Sequence, residues 1–165
     1  MPMKHVLGAC LLTTCLVAPA AAQELRIGYI GVATGPFAGI GGHNERGWKL
    51  GLESEGWTKD GDKLGGFPAK IVQGDDQMRP DVGLREVEKM IKGDKVQVIG
   101  GVMGSNVFMA VAKVIMDANV VMVGTNAGPA PLAGELCNPL FVSAGIQNDQ
   151  NAESTGELVN RDGIK

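Results

Sequence analysis

Three short stretches of this sequence gather side chains that could bind or react. His43 stands with Asn44 and Glu45 in "GIGGHNERG", Asp75 and Asp76 end "AKIVQGDD", and Ser105 with Asn106 follows the apolar "VIGGVMG". Tested against reaction types, none makes a catalytic set. "GIGGHNERG" breaks the G-x-G-x-x-G dinucleotide pattern, because Asn44 occupies the third glycine's position. Ser105 is outside a G-x-S-x-G elbow, with Met103 and Val107 where the flanking glycines belong, and "GGVMGSN" lacks the Lys-Ser/Thr of a phosphate-binding loop. Asp75 and Asp76 could hold Mg²⁺ or take a phosphoryl group. The preferred reading is that they stitch the loop before "RPDVG" by accepting backbone N–H bonds. His43 is read as an exposed polar histidine. It is joined by no thiol pair, which leaves no Zn²⁺ ligand set, so neither a metal nor a cofactor is expected.

Ser105 is of a different kind. Before it, "VQVIGG" is short, β-branched and apolar, as a strand covered on both faces would be. After it, Val107, Ala110, Val111, Val114 and Ile115 recur at the spacing of an amphipathic helix. Ser105 therefore falls in the turn at the carboxyl end of a buried strand, where open α/β sheets bind their ligands. Its hydroxyl and the helix-start N–H groups can converge on an anion, and the plain alternative is an N-cap. The next strand end, "GTNAGPAP", offers Thr125, Asn126 and glycines that let a ligand approach the main chain. Neither loop holds a base or a nucleophile. The pair suits binding without turnover.

The elements that must position these loops alternate. Strands are expected at 24–33, 69–76, 95–101, 118–125 and 138–145. Helices are expected at 43–56, with Trp48 and Leu52 on one side, at 80–94 with a stripe of Leu84, Val87 and Ile91, from Ser105 on, and at 149–163. Alternation of this kind implies an α/β fold, a three-layer doubly wound parallel sheet with right-handed crossovers. A net charge of −3 with no Lys/Arg cluster sets nucleic acid aside as a partner. After "NRDGIK" the alternation stops where another strand is due, so the lobe is read as incomplete.

Residues 1–22 read as a secretory signal peptide: "MPMKH" starts it, "VLGACLLTTCLV" is its apolar core, and Ala20 and Ala22 form an A-x-A exit. Lipid attachment at Cys10 is rejected because only Val6 and Leu7 of apolar core precede Gly8, and "LTTC", which ends at Cys15, has Thr14 where a small residue is expected. Cys137 is then the lone mature thiol, expected to be buried between "GEL" and "NPLF".

The mature chain resembles the first lobe of a type I periplasmic binding protein, in the Leu/Ile/Val-binding branch of ABC-importer receptors. The likeness rests on "IGYIGVATGPFAGIGG", "RGWKLGLE", "GDDQMRPDVGLREVEKMI", "VIGGVMGSNV" and "VVMVGTNAGPAPLAG", in the family's order. The resemblance implies that residues 23–165 are an N-terminal ligand-binding lobe whose second lobe is missing. It implies a monomeric periplasmic receptor that hands a small carboxylate to an ABC permease in the inner membrane, without catalysis. A periplasmic sensing domain that feeds a signalling system is the alternative. By the same resemblance the ligand-binding residues are Gly104 and Ser105 at the third helix, Asn126, Ala127 and Gly128 in the next loop, and Ile40 in the first loop. Gly128 replaces the hydroxyl residue of leucine receptors and Ile40 their aromatic. The lobe-one disulfide is absent, with Met78 and Gly104 at its places. Details such as "C-N-P" point toward receptors for aromatic carboxylates, so the ligand is a branched-chain amino acid or an aromatic or other small organic acid.

Export makes a first prediction. Intact-mass analysis of exported protein should show a chain that begins at Gln23, and a lipid-modified Cys10 or Cys15 would contradict the assignment.

Overall fold

The computed structural model describes residues 23–164, so the leader assigned to 1–22 lies outside the described residues. Its strands are β1 (Leu25–Gly31), β2 (Lys63–Leu64), β3 (Phe67–Asp75), β4 (Val98–Gly100), β5 (Val121–Gly124) and β6 (Phe141–Ser143), and its α-helices are α1 (Ala38–Ser54), α2 (Pro80–Lys89), α3 (Ser105–Asp117) and α4 (Asn148–Arg161). They form one sheet in the order β2-β3-β1-β4-β5-β6, parallel except for the short β2. β2 is the element the sequence conceals. It lies inside a polar stretch and pairs with β3 across Gly65 and Gly66, whose φ values of 57° and 90° suit glycine.

Adjacent residues on β1 show the three layers, because side chains alternate between the faces of a strand. A Cβ on Gly28 would come within 2.8 Å of Met90 Sδ, beyond α2, while Tyr29 packs its ring 5.1 Å from that of Trp48 on α1. In register with Gly28 run Val72, Ile99, Met122 and Phe141, one apolar row across five strands. Over this row lie Val87, Met90, Val107, Phe108, Val111 and Ile115, all buried. Phe108 meets Phe141 edge-on at 5.7 Å.

The buried helix stripes differ from those expected. On α2 the buried residues are Val82, Gly83 and Val87, with Met90 after them, and Leu84 and Ile91 are only half-buried. α2 approaches α3 closely at Gly83, where a Cβ would meet Val107 Cγ1 at 2.6 Å. A contact line through a glycine is invisible to a count of apolar residues. On α3, Phe108 and Ala112 are buried with Val107, Val111 and Ile115, whereas Ala110 is exposed.

Three further expectations are corrected. α1 starts at Ala38, five residues early, so Ile40 is on the helix rather than in a loop. Its glycines disguise the first turn, yet Gly41 is buried hard against the Val32 backbone. A π-helical turn, Met90–Asp94, continues α2 and tucks Met90 into the core. Cys137 is exposed rather than buried. It falls between a 3₁₀ turn at Ala130–Ala133 and β6, where its N–H bonds to Gly134 O in a surface turn.

The row under α2 and α3 carries a stability prediction. Phe108→Ala removes a fully buried ring and its Phe141 partner, and should lower the unfolding free energy by about 3–5 kcal/mol. Urea denaturation followed by circular dichroism measures this, and a loss below about 1 kcal/mol would show that the row does not hold the layers together.

Candidate functional site

Ser105 is the first residue of α3, after Gly104 in extended conformation. The bond that closes the first turn runs from Phe108 N to Gly104 O at 2.8 Å. Amides of Ser105, Asn106 and Val107 therefore have no intrahelical acceptor, and the positive end of the helix dipole opens there. The N-cap is Gly104, so Ser105 is not the capping residue of the plain alternative. Its hydroxyl instead accepts a bond from Asn148 Nδ2, at 2.8 Å. The Asn148 carboxamide oxygen is met by Gly128 N at 3.4 Å, and Asn148 N donates to Gly128 O at 2.9 Å. One side chain thus ties the start of α3 to the loop after β5.

Asn126 fastens the same two loops from the other side, its Nδ2 donating to Met103 O at 3.1 Å. Ser105, Asn126, Ala127 and Gly128 are brought together at the carboxyl edge of β4 and β5. Asn126 is exposed and Ser105 partly so, while Ala127 and Gly128 are buried. Gly128 does not open the main chain to a ligand as expected. A Cβ there would collide with the Ile146 carbonyl oxygen and stand 3.1 Å from Gln147 Cα, so its face is closed by the chain's own backbone. The same crowding explains why no hydroxyl residue stands at this position. Gly104 is under Met78, whose sulfur occupies the space a Cβ would need. The positions matched to a disulfide are thus in contact without one.

Ile40 lies on the first turn of α1, at the same edge of the sheet, and is 62% exposed. Phe37, just before that helix, is 46% exposed and supplies an aromatic the sequence reading passed over. Asn148 was passed over as well. Its only signal was a carboxamide at the start of the last helix, and nothing local shows that this helix starts beside Ser105. A recess of 460 Å³ is lined by His43, Asn44, Trp48 and Thr125, next to Asn126, and one of 320 Å³ by Tyr29, Glu45, Gln73 and Asp75; Ser105 and Asn126 line neither and stand on an open shelf beside the first. His43 is exposed.

The Asp pair does stitch its loop. Asp75 accepts from Ala33 N (2.9 Å), Gln77 N (3.0 Å) and Thr34 Oγ1 (2.5 Å), and Asp76 Oδ1 accepts from Met78 N (2.7 Å). Partial burial opposes ionisation of Asp75, but these donors outweigh it and hold its carboxyl below the ordinary range. Asp76 goes the other way. Complete burial raises its pKa, the Met78 N–H only partly compensates, the Asp75 charge adds to the rise, and Oδ2 has no partner among the described residues. Burial, with Glu45 and Asp76 nearby, pushes the Tyr29 hydroxyl up to about 12. Among the described residues no group of three His, Cys, Asp or Glu could hold a metal ion. No described helix is long and apolar enough to cross a membrane.

The fold on which this helix start stands is that of a known class of binding proteins. The chain belongs to the periplasmic binding protein family, whose model matches residues 24–165. Solved structures agree. The chain is similar to a solute-binding protein of an ABC transporter from R. palustris in complex with benzoate, at 28% identity and a TM-score of 0.77, with 87% of this chain and 38% of that one covered. A second such R. palustris protein, in complex with 4-hydroxybenzoate, matches at 25% identity and TM-score 0.73 over 86% and 37%. An ABC transporter substrate-binding protein from Sphaerobacter thermophilus matches at 27% and 0.68 over 78% and 34%. The chain thus spans little more than a third of the length of these relatives. No curated protein matches it.

The Asp76 environment yields a pH prediction. A carboxyl whose folded pKa is raised favours the fold below its unfolded pKa, about 4, and loses that contribution as pH rises through the folded value. Asp76→Asn keeps the acceptor for Met78 N without the charge. Its stability relative to the parent should therefore climb as pH is raised from 3.5 to 7 in urea titrations, with about 4 as the starting point. A constant difference would contradict a raised Asp76.

Proposed function

We propose that this chain is the N-terminal ligand-binding lobe, residues 23–165, of an exported ABC-importer receptor that takes a small organic carboxylate, with an aromatic acid preferred. The observation that carries the reading is the start of α3, where free amides and the Ser105 hydroxyl stand together at the sheet's carboxyl edge. A carboxylate is an acceptor with a charge and fits both features. Phe37 and Ile40, exposed at the same edge, suit an apolar body rather than an ammonium group. The relatives bound to benzoate and 4-hydroxybenzoate support the choice of ligand class. Nothing on the shelf can act as base or nucleophile, which favours binding without turnover. In this reading 1–22 is cleaved in transit, the receptor works in the periplasm as a monomer, and its partner is an inner-membrane ABC permease.

The reading is tested by NMR titration of the protein with benzoate, 4-hydroxybenzoate, phenylpyruvate and leucine. Aryl carboxylates should move the amide signals of Ser105 and Asn106, and Ser105→Ala should weaken that binding by roughly 1–3 kcal/mol, the range for a hydrogen bond to a charged partner. Binding of leucine with no response to any acid that lacks an amino group would overturn the carboxylate assignment.

A further inference from the structure

The recess of 320 Å³ takes no part in the reading above. It stands where β3 becomes the edge of the sheet, because β2 pairs only with Phe67 and Pro68 and leaves Gln73–Asp75 open on that side. Two helices flank it. α1 brings Glu45 and α2 brings Glu86, whose side chains are 32% and 28% exposed. A Cβ on Gly74 would stand 3.1 Å from Glu86 Oε2, so this carboxylate lies against bare backbone. Asp75 makes a third carboxylate, and no Lys, Arg or His lines the recess. Lys49 pairs with Glu45 at 2.6 Å and Lys89 comes within 3.9 Å of Glu86, both from outside the recess and both half exposed or more. Exposed pairs of this kind hold weakly.

The acidic lining is joined by a second feature. Tyr29 is 3% exposed and lines the same recess, yet its Oη is buried with no partner among the described residues. Two other residues of the lining locate that oxygen. A Cβ on Gly31 would stand 3.2 Å from it, and Glu45 is close enough for its charge to oppose ionisation of the phenol. A buried polar atom left unpaired costs stability, and a group that enters the recess and bonds to it recovers that loss.

We propose that this recess binds a small alkylammonium ion, held by Glu45 and the Tyr29 hydroxyl, as a site separate from the shelf at Ser105 and of opposite sign. An ammonium presents three donors and no acceptor. Glu45 supplies an ionised acceptor beside the neutral Tyr29 Oη, which keeps its proton up to a pKa of about 12. Asp75 adds charge rather than bonds, since Ala33, Thr34 and Gln77 already engage its oxygens. Carboxylates of one sign around a concave surface concentrate cations there. A metal ion matches less well, because no group of three His, Cys, Asp or Glu among the described residues could hold one. The volume is at the small end of ligand pockets and suits a short carbon chain.

The test titrates pentylammonium, and 1-pentanol as its uncharged counterpart, into the protein by calorimetry, with thermal unfolding followed in parallel. Pentylammonium should bind one ion per chain and raise the Tm, and 1-pentanol should do neither. Tyr29→Phe keeps the ring against Trp48 and removes the unpaired oxygen, so without amine its Tm should equal or exceed that of the parent. Tyr29→Phe and Glu45→Gln should each weaken amine binding by roughly tenfold, the scale of a hydrogen bond to a charged group. Glu157→Gln, on exposed α4, should leave it unchanged. Absence of saturable binding by the parent would overturn the site. So would equal weakening by Glu157→Gln, which would mean attraction to the acidic chain as a whole. Undiminished binding by Tyr29→Phe, or a lower Tm for that variant without amine, would remove the hydroxyl from the site and the proposal with it. No variant here alters Ser105, so the carboxylate reading stands or falls separately.

Discussion

The apolar row that crosses the sheet through Val72, Gly28, Ile99, Met122 and Phe141 is the constraint on which the other features depend. A parallel sheet cannot leave such a row in water, and α2 and α3 cover it together. They can share the cover only by approaching each other, which Gly83 permits by leaving room for Val107. That approach sets where α3 begins. The shelf at Ser105 is thus placed by packing two residues past it, in the core, rather than by anything on the shelf itself.

Polar ties then hold the shelf without burying it. Asn126 joins Met103 to the loop after β5, and Asn148 joins that loop to Ser105. Both are carboxamides, which can donate and accept at once, and both are exposed. Side chains with a net charge would add a field of their own at a point where the helix ends already supply one. Neutral ties add no charge beside the helix-start amides. At the end of β3 the opposite device operates, where ionised Asp75 gathers Ala33, Thr34 and Gln77 and has little capacity left for a ligand.

Other surface remains apolar and uncovered. Val142 on the last strand and Ile146 just after it are both more than half exposed, and α4 has no buried residue. α4 therefore owes its helix to local terms, such as the Gln147–Gln150 capping box and Arg161 near its end, more than to packing. Its start, pinned through Asn148 to Gly128 and Ser105, is the part that joins the site.

Much of this was open to the sequence alone. Periodicity separated strands from helices because burial on both faces and burial on one stripe leave different rhythms, and family likeness could be read from short local patterns. Ser105 was legible for the same reason, since a strand end followed by a helix start is a local event. Where glycine carries the contact, the rhythm misled: the α2 stripe shifted to Gly83, the start of α1 hid in a run of glycines, and β2 hid in a polar turn. Cys137 was misplaced because apolar neighbours in sequence need not be neighbours in the core. Asn148 was out of reach altogether. It stands 43 positions from Ser105, and only the closing of β6 beside β5 brings α4 to the start of α3. Sequence determined which groups could meet an anion, because helix starts are built from adjacent residues. What the Ser105 hydroxyl meets was decided by tertiary structure, because its partner, Asn148, is delivered from far along the chain.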